Sequence, residues 1–345
     1  MTKSIKISQV AAIIGVVAVL IFLLVIAGYS SFFSTVKNTN VEGREFNVPE
    51  GVTLRWIANN LEEQGFIRSS TLFLIAGKFM VSEKEIMAGE YVFPPNINLF
   101  DILLFFKYGK VNYRKIMIQP GYDINKIAEL LESEGLVDAK KFKELTKDRD
   151  LIDLLGIDVT NLEGFIYPDT YYFFKGTSPK KMVKKMVLRF KNAFTPDLAE
   201  KAEKLKMSEK DVITLASLIE KEAVAEGDRP LISAVFYNRL KKKMPLQCDP
   251  TVIYALGSGF NGDLKKENLS FKSSYNTYIN RGLPPGPIGS PGIESIRAAL
   301  YPANVNYLYF VSKNDGTHQF SKNLAEHNRA VAVYQKPLAL NKRIN

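Results

Sequence analysis

Two histidines, His318 and His327, and one cysteine, Cys248, occur in a chain of 345 residues. That supply is poor for a histidine-rich zinc site or a nucleophile–His couple, and it forbids an intramolecular disulfide or a cysteine-cluster metal site. If the chain is an enzyme, its working groups are carboxylates. The segment Ala216-Ser217-Leu218-Ile219-Glu220-Lys221-Glu222 offers two. On a helical wheel at about 100° per residue, with Val212 at the origin, Leu215, Ala216, Ile219 and Ala223 form one buried stripe. Glu220 falls at about 80° and Glu222 at about 280°, flanking that stripe on opposite sides. An acid at the margin of a buried face is placed for a raised pKa, because desolvation disfavours its charged form. The plainer alternative is a solvated Glu-Lys-Glu face with local ion pairing.

Three downstream segments supply neighbours. Leu246-Gln247-Cys248-Asp249-Pro250-Thr251-Val252 reads as a helix start, where Asp249 can cap orphan amides. Capping does not explain Gln247, whose amide suits sugar hydroxyls or N-acetyl groups. Ser274-Tyr275-Asn276-Thr277-Tyr278 sets two aromatic faces among amides and hydroxyls, a surface fit for a sugar chain or for an ordinary strand. Gly282 to Gly292 carries four prolines in Leu283-Pro284-Pro285-Gly286-Pro287-Ile288-Gly289-Ser290-Pro291 and must be a fixed loop.

The elements that would position these groups can be read from periodicity and punctuation. Ser178–Phe194 is a basic amphipathic helix, followed by helices over Pro196–Leu205, Ser208–Ala223 and Asp228–Lys243; Ser208 and Asp211 form a capping-box start, and Pro230 suits a first turn. After the loop-rich stretch Asn261–Pro291 come a helix (Ile293–Leu300), a strand pair (Asn306–Ser312, Thr317–Ser321) and a closing helix (Asn323–Lys336). Upstream, a repeat appears at a spacing of 70 residues. Pro49-Glu50-Gly51 precedes Leu54, Ile57, Ala58, Leu61 and Gly65, and Pro120-Gly121 precedes Ile124, Ile127, Ala128, Leu131 and Gly135. Each copy spaces its apolar residues i, i+3, i+4, i+7 and closes on glycine. Strands over Ile86–Phe93, Tyr113–Ile118 and Phe165–Phe173 complete two small α+β units, a paired module rather than a solenoid. The first resembles a LysM-type glycan-binding module; a spacer is the bland alternative.

Val10–Gly28 is an uncharged apolar run that as a helix spans roughly 28 Å, near the hydrocarbon thickness of a bilayer. A cleavable signal is the competing reading, with Gly28 and Ser30 as its small-residue pair. Lys3 and Lys6 keep the amino terminus inside, so the remainder lies outside the membrane. The net charge of +10 less these two lysines leaves +8 on that part, which suits anionic headgroups or wall polymers; export argues against nucleic acid.

Six segments in order carry a resemblance: Glu163-Gly164-Phe165-Ile166-Tyr167-Pro168-Asp169-Thr170-Tyr171, Ala216–Glu222, Leu246–Val252, Tyr275–Tyr278, Gly282–Pro287 and Tyr307–Val311. Together they resemble the MltG/YceG family of membrane-anchored endolytic murein transglycosylases across nearly the whole chain. One departure is Cys248, where a small hydroxyl residue is expected; it leaves the catalytic roles untouched. The resemblance implies cleavage between N-acetylmuramic acid and N-acetylglucosamine within nascent peptidoglycan strands, leaving 1,6-anhydromuramic ends. It matches the catalytic acid to Glu222, with Glu220 as the alternative or supporting acid. Gln247, Asp249, Tyr275, Asn276, Glu163, Asp169 and Tyr171 are implied as substrate-binding residues. No metal or organic cofactor is implied, and wall synthases and division proteins are implied as companions. The rival functions are a non-catalytic wall-binding scaffold and a muramidase-type hydrolase. The expected fold is α+β: a cytoplasmic tail (1–9), transmembrane anchor (10–28), tether (29–44), LysM-like module (45–110), second α+β module (111–177) and a largely helical catalytic domain (178–345) ending in a strand pair and helix. The expected location is the bacterial cytoplasmic membrane, single-pass, with the catalytic domain on the external or periplasmic side.

Overall fold

The computed structural model describes residues 7–35, 43–81 and 86–335. The tail at 1–6, part of the tether (36–42) and the last residue of the expected closing helix lie outside them. The described chain is mixed helix and strand, about half of it helical, with three two-stranded sheets. It divides into two compact units, residues 1–114 with 172–177, and residues 115–171 with 178–345.

In the first unit α1 (Ile7–Phe33) is one helix without a charged residue. Several of its side chains are not described, and among the described residues no helix is long and apolar enough to cross a membrane. Next come β1 (Arg44–Val48), α2 (Leu54–Glu63), α3 (Ser70–Met80), β2 (Gly89–Phe93) and α4 (Leu99–Lys107). β1 and β2 pair antiparallel, Arg44 opposite Phe93 and Val48 opposite Gly89. The helices close over this ribbon because α2 buries Leu54, Ile57, Ala58 and Leu61, four of its five apolar positions, with Trp56 partly buried against the same core. They meet an aromatic core of Phe46, Phe66, Phe73, Tyr91, Phe93 and Phe106.

The second unit repeats the opening pattern. After β3 (Arg114–Met117), α5 (Ile124–Ser133) is capped by Asp123 as α2 is by Thr53, and it buries Ile124, Ile127, Ala128 and Leu131. Gly65 and Gly135 both sit at left-handed φ values (+70° and +66°) just past these helices, where a side chain would be strained. α6 (Ala139–Leu145), α7 (Arg149–Leu155) and β4 (Thr170–Phe173) follow, and β3 pairs with β4. The strand expected from Phe165 begins only at Thr170, because Pro168 has no amide to offer a ladder. The expected start at Ile86 likewise moves to Gly89.

Then come α8 (Pro179–Ala193), α9 (Pro196–Lys204), α10 (Glu209–Glu222), α11 (Arg229–Lys241), α12 (Asp249–Leu256), α13 (Ile293–Leu300), β5 (Tyr309–Ser312), β6 (His318–Ser321) and α14 (Leu324–Tyr334). β5 and β6 form an antiparallel hairpin. α10 is the spine: Val212 through Ile219 are all buried. Its start is fixed by reciprocal bonds, Asp211 N–H to Ser208 Oγ and Ser208 N–H to Asp211 Oδ2.

Candidate functional site

α10 ends on Glu222, beside a cleft of about 480 Å³. The cleft is lined by Glu222, Arg239, Gln247, Asp249 and Tyr278, with β5–β6 and α14 supplying Tyr309, Phe310, His318 and His327. Burial pushes the Glu222 carboxyl up to about 7 from an ordinary 4.5; a hydrogen bond from the Cys248 thiol draws it down, the Asp249 charge raises it and Arg239 lowers it. The negative end of the α10 dipole acts in the same direction as burial. Cys248 is itself buried, and burial next to Glu222 holds its thiol well above its ordinary range, so it stays a donor.

Arg239, from α11, is buried and organises the rim. Its Nε donates to the Leu308 carbonyl (2.7 Å), and Nη1 donates to the Leu246 carbonyl (2.9 Å) and to Gln247 Oε1 (3.1 Å). The guanidinium also lies 5.1 Å from the Tyr309 ring centre, and His327 stacks on that ring at 5.2 Å. Gln247 is held at φ +50°, a left-handed conformation that is strained for a side chain of its size. Its N–H donates to the Thr277 carbonyl (3.1 Å). Asp249 opens α12 and accepts from the Tyr278 hydroxyl. Below them Cys248 N–H donates to Thr277 Oγ1 (3.0 Å), and Thr251 and Thr277 share a hydroxyl bond (2.9 Å). Gln247 and Asp249 are thus fixed from α11, α12 and the 273–278 turn.

The remaining expected residues lie elsewhere. Glu220 turns away from the cleft: Oε2 accepts from Gly292 N–H (2.9 Å), and Oε1 is 3.6 Å from Arg229. It thereby helps hold the buried strap 286–291 against α10, together with Ser217 Oγ, which accepts from Ile288 N–H (3.1 Å). Asn276 is fully buried; its amide donates to the Leu269 and Phe271 carbonyls, so it ties its own loop instead of facing a ligand. Tyr275 packs on Tyr254 with ring centres 5.0 Å apart, outside the lining of the Glu222 cleft. Glu163 is buried at the head of α5: it accepts from Ile124 N–H (3.2 Å) and the Tyr254 hydroxyl (3.1 Å), and burial raises it to about 7. Asp169 and Tyr171 line a separate open groove with Lys184 and Arg189 of α8. Burial would raise Asp169, but the Arg189 and Thr170 hydrogen bonds outweigh it and leave the carboxyl below its ordinary value.

Glu222, Gln247 and Asp249 therefore meet in one place, and Arg239, Tyr278, Tyr309, His318 and His327 join them without having been singled out as site residues. Tyr278 and Tyr309 fell inside motifs already noted; for Arg239 the only signal was a basic residue in an otherwise buried helix. Among the described residues no group of three or more His, Cys, Asp or Glu side chains could hold a metal ion. The cleft has one acid whose pKa is raised to near neutral, a fixed amide and carboxylate beside it, and aromatic walls. That set can protonate a leaving oxygen and grip a hydroxyl-rich chain.

Comparison with known proteins gives one consistent result. An endolytic murein transglycosylase of Bacillus subtilis is 35% identical over 303 residues, covering 84% of each chain. An endolytic murein transglycosylase of Streptococcus pneumoniae is 26% identical, covering 92% of this chain and 65% of that one. A crystal structure of a YceG-like protein from Listeria monocytogenes superposes with a TM-score of 0.59 at 32% identity, covering 84% of this chain and 99% of that one. Residues 46–333 match the YceG-like family, and the chain belongs to it.

Proposed function

We propose that this protein is a lytic transglycosylase that cuts the bond between N-acetylmuramic acid and N-acetylglucosamine inside peptidoglycan strands. The observation that carries this is the Glu222 carboxyl, raised to about 7 by burial and set in the wall of a cleft. Protonated Glu222 gives its proton to the glycosidic oxygen as the C1–O bond breaks. The carboxylate left behind takes the proton of the muramic C6 hydroxyl while O6 bonds to C1. Glu222 ends as it began, no water is consumed, and one carboxyl suffices. Gln247 and Asp249, both rigidly held, would bind the strand beside it. Glu220 is the weaker candidate because both of its oxygens are engaged with Gly292 and Arg229.

The murein transglycosylase relatives support the same chemistry. By the same proposal α1 anchors the chain in the cytoplasmic membrane, with the lysines before it inside and the cleft outside. The β1-α2-α3-β2 module is a LysM-like glycan holder. A muramidase-type reading has one observation in its favour, the second carboxylate at Asp249. Digesting purified peptidoglycan and weighing the products decides: anhydro-ended fragments support the transglycosylase, and fragments heavier by one water support the hydrolase. Glu222→Gln is expected to abolish release of anhydro-ended fragments while still binding strands. Undiminished release by that variant would move the role away from Glu222.

A further inference from the structure

Both histidines of the chain line the Glu222 cleft, and the reaction written above uses neither. His318 is the better defined. Its Nδ1 lies 2.9 Å from Asp228 Oδ2, and its backbone N–H donates to the same oxygen at 2.8 Å. The Asp228 oxygen that accepts from the backbone N–H accepts from the ring as well, so a proton sits on Nδ1. Nε2 is then the edge left for the cleft, and it has no hydrogen-bond partner among the described residues. The ring is also immobilised. The two side chains are 8% and 13% exposed, and Phe310 and Phe320 pack on the imidazole with ring centres at 5.4 and 6.3 Å. Asp228 follows Glu222 in the short turn leading into α11, so one stretch of chain both carries the acid and orients the imidazole.

A pin between that turn and β6 needs only the Nδ1 side of the ring. We propose that His318, oriented by Asp228, is a substrate-binding residue whose Nε2 hydrogen-bonds a hydroxyl or acetamido group of the sugar chain in the Glu222 cleft. The proposal rests on the reading of that cleft as a glycan site. A preoriented imidazole discriminates between groups able to meet it and groups that are not, since a ligand lacking the group would leave Nε2 desolvated and unpaired.

Asparagine and glutamine divide the two roles. His318→Asn places an amide where Nδ1 was and keeps the bond to Asp228; His318→Gln places it where Nε2 was. In the full-length protein, His318→Asn is expected to keep a higher Tm than His318→Gln but raise KM for peptidoglycan about tenfold, the worth of one hydrogen bond, with kcat nearly unchanged. His318→Gln is expected to lower Tm yet keep KM within about twofold. A wild-type KM in His318→Asn overturns the proposal. If His318→Asn does not fold, His318→Gln decides: a retained KM supports the proposal and a tenfold rise overturns it. The affinity of purified glycan strands for the Glu222→Gln protein, with and without His318→Asn, reads the same contact without catalysis. Failure of the transglycosylase reading shows separately, as a wild-type protein that yields no anhydro-ended products.

Discussion

In the proposed mechanism Glu222 trades stability for chemistry. Its folded pKa of about 7 lies above the ordinary 4.5, so the native state holds a proton that the unfolded chain releases between those values. The stability it contributes is present below about pH 4.5 and is lost as pH rises through 7. Glu222→Gln removes the charge and its desolvation, so the variant is expected to be more stable at pH 8 by on the order of 2 kcal/mol and equal near pH 4. Thermal melts at the two pH values test this. Activity follows the same group: the rate is expected to fall as pH rises above 7. Cys248 sets where that fall occurs, because its thiol favours the charged carboxylate. Cys248→Ser, a stronger donor, is expected to move the limb down by roughly half a unit to one unit, and Cys248→Ala to move it up, in kcat/KM profiles. Glu222 stood out in the sequence as a candidate acid because a carboxylate beside buried helix positions is a local pattern. The role of Asn276 was not legible, because an amide that ties a loop and one that grips a sugar are the same residue type.

At the scale of elements, the strap 286–291 packs on α10 and bonds it through Ile288 N–H to Ser217 Oγ. Gly164 shows how tight that packing is. It sits at φ +83°, and a Cβ there would stand 2.5 Å from Pro287 Cβ and 2.9 Å from an Ile213 methyl. Gly164→Ala is expected to cost about 3 kcal/mol, from backbone strain and overpacking together, seen as a lowered denaturant midpoint. Helices with a single buried stripe were readable, as in α2 and α5, because one period specifies one face; α10, buried all round from Val212 to Ile219, departs from the single stripe expected of it. The Ser208–Asp211 capping box made the start of α10 readable as well, whereas the caps at Thr53 and Asp123 emerge only in the structure. The β5–β6 hairpin was readable as a hairpin, but its place on the cleft was not. Tertiary packing, through Arg239 to the Leu308 carbonyl and Asp228 to His318, brings Tyr309 and His318 to the Glu222 cleft.

At the scale of the whole molecule, the uncharged α1 gives the anchoring proposal its test. The full chain expressed in a bacterium is expected to stay with membranes through alkaline extraction; release into the supernatant would remove the anchor from the proposal. The division of the chain has a different bearing. Residues 172–177 belong with the first unit, although the chain reaches them only after the head of the second. Phe174 packs on Tyr113, Lys175 pairs with Glu45, and Gly176 lies against the Asn47 side chain. Shuffling this module between proteins by a single crossover near residue 114 would leave those partners behind. A graft that travels intact needs two junctions, and a gene fusion made at one should yield a donor piece prone to fraying along β1.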